Sequence, residues 1–392
     1  MSEATPVLPP EASRTTKRAR LLRPAPGGDT ASGDGLSRAL ETAAAQTRRR
    51  VAWVLGGLGV ALGAFIIASV AVGAVALSPG QVLTVLADSV GLALPWSVTA
   101  QQEAVLLSIR LPRVLMGVIV GAGLAVSGAV LQGLFRNPLA DPGLVGVSSG
   151  AALGAAVAIV LGASVAGPVA AVAGPAMVTV SAFVMGLSVA AVVYRIATRQ
   201  RRTSVTTMLL AGIAINALCG AAVGALILFA DDGQLRDLTF WTLGSLGGAT
   251  WGALAVAAPL VCGVLAAAPW LARSLDAMLL GEAEARHLGV HTQRVKAVSV
   301  SLAALAVAAA TAVSGLIGFI GLVAPHLVRL SLGPGHRALL PGAALCGAVL
   351  LVGADLASRT LLAPAEIPIG IVTALVGGPF FLWLLLRQRP SF

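Results

Sequence analysis

Charge is what this chain has least of: 11% of its 392 residues are Asp, Glu, Lys or Arg, against 57% that are hydrophobic. A water-soluble domain carries about 25% charged residues, so a soluble enzyme or binding module is excluded. Lysine is scarcer still, present only as Lys17 and Lys296, and no G-x-x-x-x-G-K-[ST] string occurs. The chain therefore has no P-loop to cradle nucleotide phosphates, and any ATP must be hydrolysed by a partner. Cys219, Cys262 and Cys346 each stand alone in an apolar run, which excludes a disulfide framework and a thiolate metal site and leaves small packing residues. His287 and His291 have the i, i+4 spacing of a zinc pair, but Gly289 separates them and no third ligand is near, so no metal site follows. Asp355 is the one acid well inside an apolar run. One turn before Arg359, it reads either as a functional intramembrane acid or as half of a local ion pair. Ion-coupled secondary transporters, the alternative class, rely on several such acids or on an unwound polar helix at the membrane midplane. A membrane enzyme would need convergent polar residues, which are also missing.

What the chain has in abundance is long apolar sequence, with a mean hydropathy of +0.92. Ten runs of membrane-crossing length, about 20 residues each, lie near 51–77, 108–134, 143–162, 168–197, 205–230, 251–272, 296–314, 316–332, 338–358 and 366–386. None alternates as a barrel strand would, so the fold class is an all-α integral membrane protein of about ten transmembrane helices. With the N-terminus placed in the cytoplasm, nearly all Lys and Arg fall on that side, leaving only Arg110, Arg113, Arg236 and Arg359 outside. That is the positive-inside pattern, and it puts both termini in the cytoplasm. The net charge of +10 thus reflects the lipid bilayer as partner, and no nucleic acid is implied. Residues 1–47, rich in Pro, Gly, Ser, Thr and Arg, read as a disordered cytoplasmic tail, and 48–392 as the transmembrane domain. The run from Val51 reads as a retained helix, too long for a cleaved signal.

AVSGAVLQGLFRNPLADPGLVG (Ala125–Gly146) resembles AVSGLIGFIGLVAPHLVRLSLG (Ala312–Gly333) at a constant offset of 187, matching Pro138 with Pro325 and Gly146 with Gly333. Gly212, Ile213 and Gly220 find counterparts in Gly370, Ile371 and Gly378. The repeat units are helices two to five and seven to ten, and the topology makes them inverted, a transporter architecture. Glycine, with 46 residues, serves mainly to let helices approach closely in lipid.

The polar stretch LLGEAEARHLGVHTQRVK (Leu279–Lys296) interrupts this pattern on the cytoplasmic side. Gly281 can end one helix and start another. Glu282 and Glu284 then sit near the positive end of the new helix dipole, Arg286 and His287 near its negative end, and Gly289 stops it. Leu279, Leu280, Ala283 and Leu288 offer apolar contact.

LSIRLPRVLMGVIVGAGLAVSGAVLQGLFRNPLADPGLVGVSSGA resembles the signature region of the FecCD family of ABC-importer permeases, the type II fold of vitamin B12, siderophore and haem importers. LLAGIAIN, LTFWTLGSLGGATW, GLVAPHLVRL and EIPIGIVTALVGGPFFLWLL follow in order, so that the resemblance covers about residues 50–387. It implies a homodimer in the bacterial inner membrane, two cytoplasmic ATPase subunits that bind ATP and Mg, a periplasmic substrate-binding protein, no cofactor in this subunit, and haem as cargo. Ferric siderophore or cobalamin is the alternative. It further implies that the segment about 274–290, with Leu280, Gly281, Glu282, Ala283, Glu284, Arg286, His287, Leu288 and Gly289, seats in the ATPase. Arg110, Arg113 and Arg359 match positions that receive glutamates from the binding protein, while interfacial anchoring is their plainer role. Thr206 to Ala230 resembles the pathway helix, with Asn216 as its central amide and gates at Asn137, Leu139, Val205 and Thr206.

Overall fold

A computed structural model describes residues 31–387, except 74, 89–90, 93 and 167. The chain divides into two units, Met1–Arg50 and Val51–Phe392. Helix α1 (Ala31–Ala71) begins well before the first apolar run. Residues 31–47, expected to be structureless, are helical, and 1–30 lie outside the described residues. The physical reason is local: ALETAAAQTRRR is built from strong helix formers, and a helix already nucleated extends at one hydrogen bond per residue.

The helices continue as α2 (Pro79–Asp88), α3 (Ala100–Val105), α4 (Leu111–Phe135), α5 (Val147–Ala166), α6 (Pro168–Ala197) and α7 (Val205–Ile227). They are followed by α8 (Asp232–Leu243), α9 (Trp251–Leu279), α10 (Glu282–His287), α11 (Thr292–Ser314), α12 (Ile320–Leu332), α13 (His336–Thr360) and α14 (Ile369–Arg387). Seven helices among the described residues are long and apolar enough to cross a membrane, and the other three predicted runs are the shorter apolar helices Val147–Gly162, Ile320–Leu332 and Ile369–Leu384. All ten runs are thus helical, and Gly315 separates α11 from α12 as a left-handed residue (φ 68°). The only strands among the described residues form a hairpin, β1 (Thr198–Arg199) with β2 (Arg202–Thr203). Its turn places Gln200 and Arg201 at φ 50° and 62°, the paired positive φ of a two-residue hairpin turn.

Helix α4 is central. Of its apolar stretch 83% is buried, against 11% for that of α1. It runs antiparallel to α13: Arg113 meets Asp355, Gly117 meets Val352, Gly121 meets Gly347 and Gly133 meets His336. A Cβ at Gly121 would drive into the carbonyl of Gly347, and one at Gly347 into that of Gly121, so backbone lies on backbone as small residues permit. Gly128 meets the Gly321 carbonyl of α12 in the same way.

The two groups of four helices suggested by the repeat are α4–α7 and α11–α14. Gly212 packs on the Leu144 carbonyl and Gly370 on that of Leu243, so these matched glycines do similar work. The AVSG strings do not: the first lies mid-way along α4, while the second closes α11. Likewise Pro138 lies in the loop after α4 and Pro325 inside α12. Likeness at this string reflects small-residue packing more than shared position.

Candidate functional site

Polar side chains gather at two ends of the helical bundle, with α7 running between them. At the first end, a five-residue π-helical turn, Leu106–Arg110, joins α3 to α4. Pro112 cannot donate to the carbonyl four residues back, and the wider turn carries Arg110 and Arg113 inward, to 5% and 8% exposure. Arg110 donates to the carbonyls of Val70 (2.6 Å), Ala71 (3.0 Å) and Val75, satisfying the open C-terminus of α1. Arg113 donates through Nε to Asp355 Oδ1 at 2.9 Å, and through its two terminal nitrogens to Glu366 Oε1 and Oε2 at 3.0 and 2.9 Å. Arg359 lies 3.5 Å from Asp355 and donates to Val72 O (2.6 Å) and to the carbonyl and hydroxyl of Ser69.

These five charged side chains line a cavity of about 770 Å³. Three guanidiniums face two carboxylates, an excess of one positive charge. The bonds with Arg113 come first among the influences on Glu366 and hold its carboxyl below the ordinary glutamate value, against the opposing pull of burial. The structure thus brings Arg110, Arg113 and Arg359 together, but with partners already in place within the chain, because a buried charge needs one. The sequence pointed to Arg359 as the partner of Asp355. It did not reveal Arg113 or Glu366, which are far away in the chain.

At the second end, α10 has the shape expected of it. Gly281 opens it at φ 128° and Gly289, at φ 81°, follows it. Gly289 N–H donates to Arg286 O (2.9 Å) and Val290 N–H to Ala285 O (3.0 Å), the double closure of a Schellman motif. Ala283, Glu284, Arg286, His287, Leu288 and Gly289 are exposed, as are Leu279 and Leu280. Glu282 differs, because its carboxylate faces inward and accepts from Lys296 (2.7 Å), Gln293 (3.0 Å), Arg286 (3.2 Å) and Thr292 (3.3 Å). Burial works against this carboxylate, but the hydrogen bond and charge of Lys296, with Arg286 and Thr292, outweigh it and keep its pKa low. His287 closes α10 while His291 caps α11, so the two imidazoles do not share a helix.

Between the ends, Ser204 caps α7 by accepting from Thr207 N–H, placing Val205 and Thr206 in its first turn. Asn137 accepts from Leu139 N–H (2.9 Å) in the loop after α4. Asp141 then caps a short turn through Gly143 N–H (2.7 Å), while burial pushes its carboxyl above the usual aspartate range. Asn216 spends both ends of its amide on this region, donating to Gly143 O (3.1 Å) and accepting from Ser149. It therefore ties α7 to the α4–α5 loop. The open stripe of α7 runs instead through Thr206, Leu210, Ile213, Ala217 and Gly224, residues with little polar chemistry to mark them in the sequence.

The FecCD transport family model matches residues 61–387. The chain belongs to the FecCD transport family. It is a multi-pass membrane permease subunit of an ABC importer and not an enzyme, with ATP hydrolysis lodged in a separate subunit. The hemin transport system permease of Yersinia pestis is 49% identical over 288 residues, covering 72% of this chain and 83% of that protein. The cobalamin import permease of Halobacterium salinarum is 42% identical, covering 76% and 77%. A solved inward-facing structure of a metal-chelate type ABC transporter superposes with a TM-score of 0.74 at 32% identity, covering 86% of this chain and 99% of that one. In this FecCD permease the ion-coupled alternative is set aside.

Proposed function

We propose that this permease carries haem across the bacterial inner membrane as a homodimer, with two ATPase subunits on its cytoplasmic side and a periplasmic substrate-binding protein opposite. The observation that carries the cargo is the 49% identity to a hemin permease, compared with 42% to a cobalamin permease. Both termini lie in the cytoplasm in this reading, which follows from the placement of Lys and Arg.

The α10 segment, from Leu280 to Gly289, is the seat for the ATPase. Its support is the exposed apolar and charged outer face on a short, doubly closed helix. Arg110, Arg113 and Arg359 form the docking site for carboxylates of the binding protein, supported by the excess positive charge around their shared cavity. An arriving carboxylate would compete with Glu366, the most exposed member of the cluster at 49%. The pathway runs along α7, gated by Val205 and Thr206 with Asn137 and Leu139, and Asn216 fixes the loop on which the last two stand.

The deciding experiment reconstitutes the permease with its ATPase and binding protein in vesicles and measures ATP hydrolysis and cargo uptake with haem, cobalamin and a panel of ferric siderophores. Stimulation by haem-loaded binding protein is expected. Stimulation by cobalamin or a siderophore alone would move the cargo assignment within the family.

A further inference from the structure

Beneath α10 lies a set of contacts that seating on a partner does not require. Lys296, the second of only two lysines in the chain, is 3% exposed and makes two short bonds, to Glu282 Oε2 and to the carbonyl of Thr203, each 2.7 Å. One turn earlier on α11, Gln293 repeats the arrangement: its amide nitrogen donates to Glu282 Oε1 (3.0 Å) and its amide oxygen accepts from Thr203 N–H (2.8 Å). Both backbone groups of one residue are thus held by two side chains that also hold one carboxylate. Anchoring Glu282 alone would need neither second bond.

Thr203 is the last residue of β2 and precedes Ser204, the cap of α7. The hairpin is itself tied down, since Thr198 and Thr203 share a hydroxyl contact of 3.0 Å and Ser204 N–H donates to Ala197 O at 3.0 Å. From Glu282 to the first turn of α7, then, the path through Lys296 crosses one side chain and two residues, Thr203 and Ser204, and both Lys296 bonds are short and charge-assisted.

We propose that Gln293 and Lys296 form a two-armed strut that carries displacement of α10 to the first turn of α7. They are positioning residues, acting on the gate through Thr203. The inference rests on reading α10 as the ATPase seat and α7 as the gated helix. It adds how the two are joined. Hydrogen-bonded networks of this kind carry coupling when the elements they join have two arrangements.

The test uses the full importer in vesicles, with Cys219, Cys262 and Cys346 replaced and Thr206→Cys added as a reporter. Three readouts are taken: co-purification of the ATPase, cargo delivered per ATP hydrolysed, and labelling of residue 206 by a water-soluble thiol reagent with and without ATP. For Lys296→Met, and for the milder Gln293→Ala should Lys296→Met not fold, the ATPase is expected to stay bound. The delivery ratio is expected to fall by about 2- to 30-fold, and the response of residue 206 to ATP to shrink accordingly. An unchanged ratio and unchanged labelling in Gln293→Ala or in folded Lys296→Met would overturn the strut. Leu280→Asp with Leu288→Asp tests the underlying reading separately: retention of the ATPase there would sink the seat assignment, whatever the strut variants show.

Discussion

Arg113 holds one positive charge between two carboxylates, and the second of these, Asp355, also faces Arg359. Replacing Asp355 by Asn leaves two guanidiniums short of their buried counter-charge. Removing one partner of a buried pair costs about 3 to 5 kcal/mol, so Asp355→Asn is expected to lower the thermal midpoint of the detergent-solubilised protein clearly, and an unchanged midpoint would contradict the pairing. A purely steric effect is expected at Gly121, where a single methyl meets the Gly347 backbone. Gly121→Ala should cost about 1 to 3 kcal/mol through overpacking, whereas Gly263→Ala, where a Cβ meets nothing within 4 Å, should not destabilise. Equal effects at both positions would show that the close approach of α4 and α13 is not what the glycines serve.

For the helices as elements, apolar length made all ten apolar helices legible, seven of them long enough to cross a membrane, because a bilayer sets how long an apolar helix must be. Three shorter helices, α2, α3 and α8, escaped that criterion. Each opens with a reciprocal capping box, Ser78 with Gln81, Thr99 with Gln102 and Asp231 with Gln234, and this pattern was readable in the sequence. The glycine stops of α10 were also readable, being local. The bonds of Glu282 to Lys296 and of Arg113 to Glu366 were not, since nothing local relates residues from different helices. On α7, an introduced cysteine at Ile213 or Ala217 is expected to react with a water-soluble thiol reagent in the assembled importer, while one at Met208, on the buried face, stays unreactive. Labelling without helical period would remove α7 from the pathway. On α10, the lowered pKa of Glu282 means that its anchoring is fully present above the unfolded value of about 4.3. It is lost as pH falls through the lower folded value. Amide-exchange protection across α10 should therefore decline only below about pH 4.3, and a decline beginning near neutrality would point to another group.

For the whole molecule, the two polar ends differ in how they should respond to solution conditions. The docking proposed for the arginine cavity rests on a small excess of charge, so association with the binding protein is expected to weaken as ionic strength rises. Glu366→Gln, which removes the internal competitor for Arg113, should strengthen it at low salt. Salt-independent association that also ignores Glu366→Gln would remove this cavity from the docking surface.

The arginine cluster also sets an order of events during synthesis. Arg113 lies 242 residues before Asp355 and 253 before Glu366, so the ribosome delivers the cation long before either anion. Until α13 and the loop after it emerge, α4 must wait with an unneutralised guanidinium near the edge of the lipid, held by water or headgroups. The segment from α13 onward therefore closes the charge pairing of a helix made much earlier, and a nascent chain arrested before α13 would keep α4 packed on α9 and α11 while Arg113 lacked both of its carboxylates.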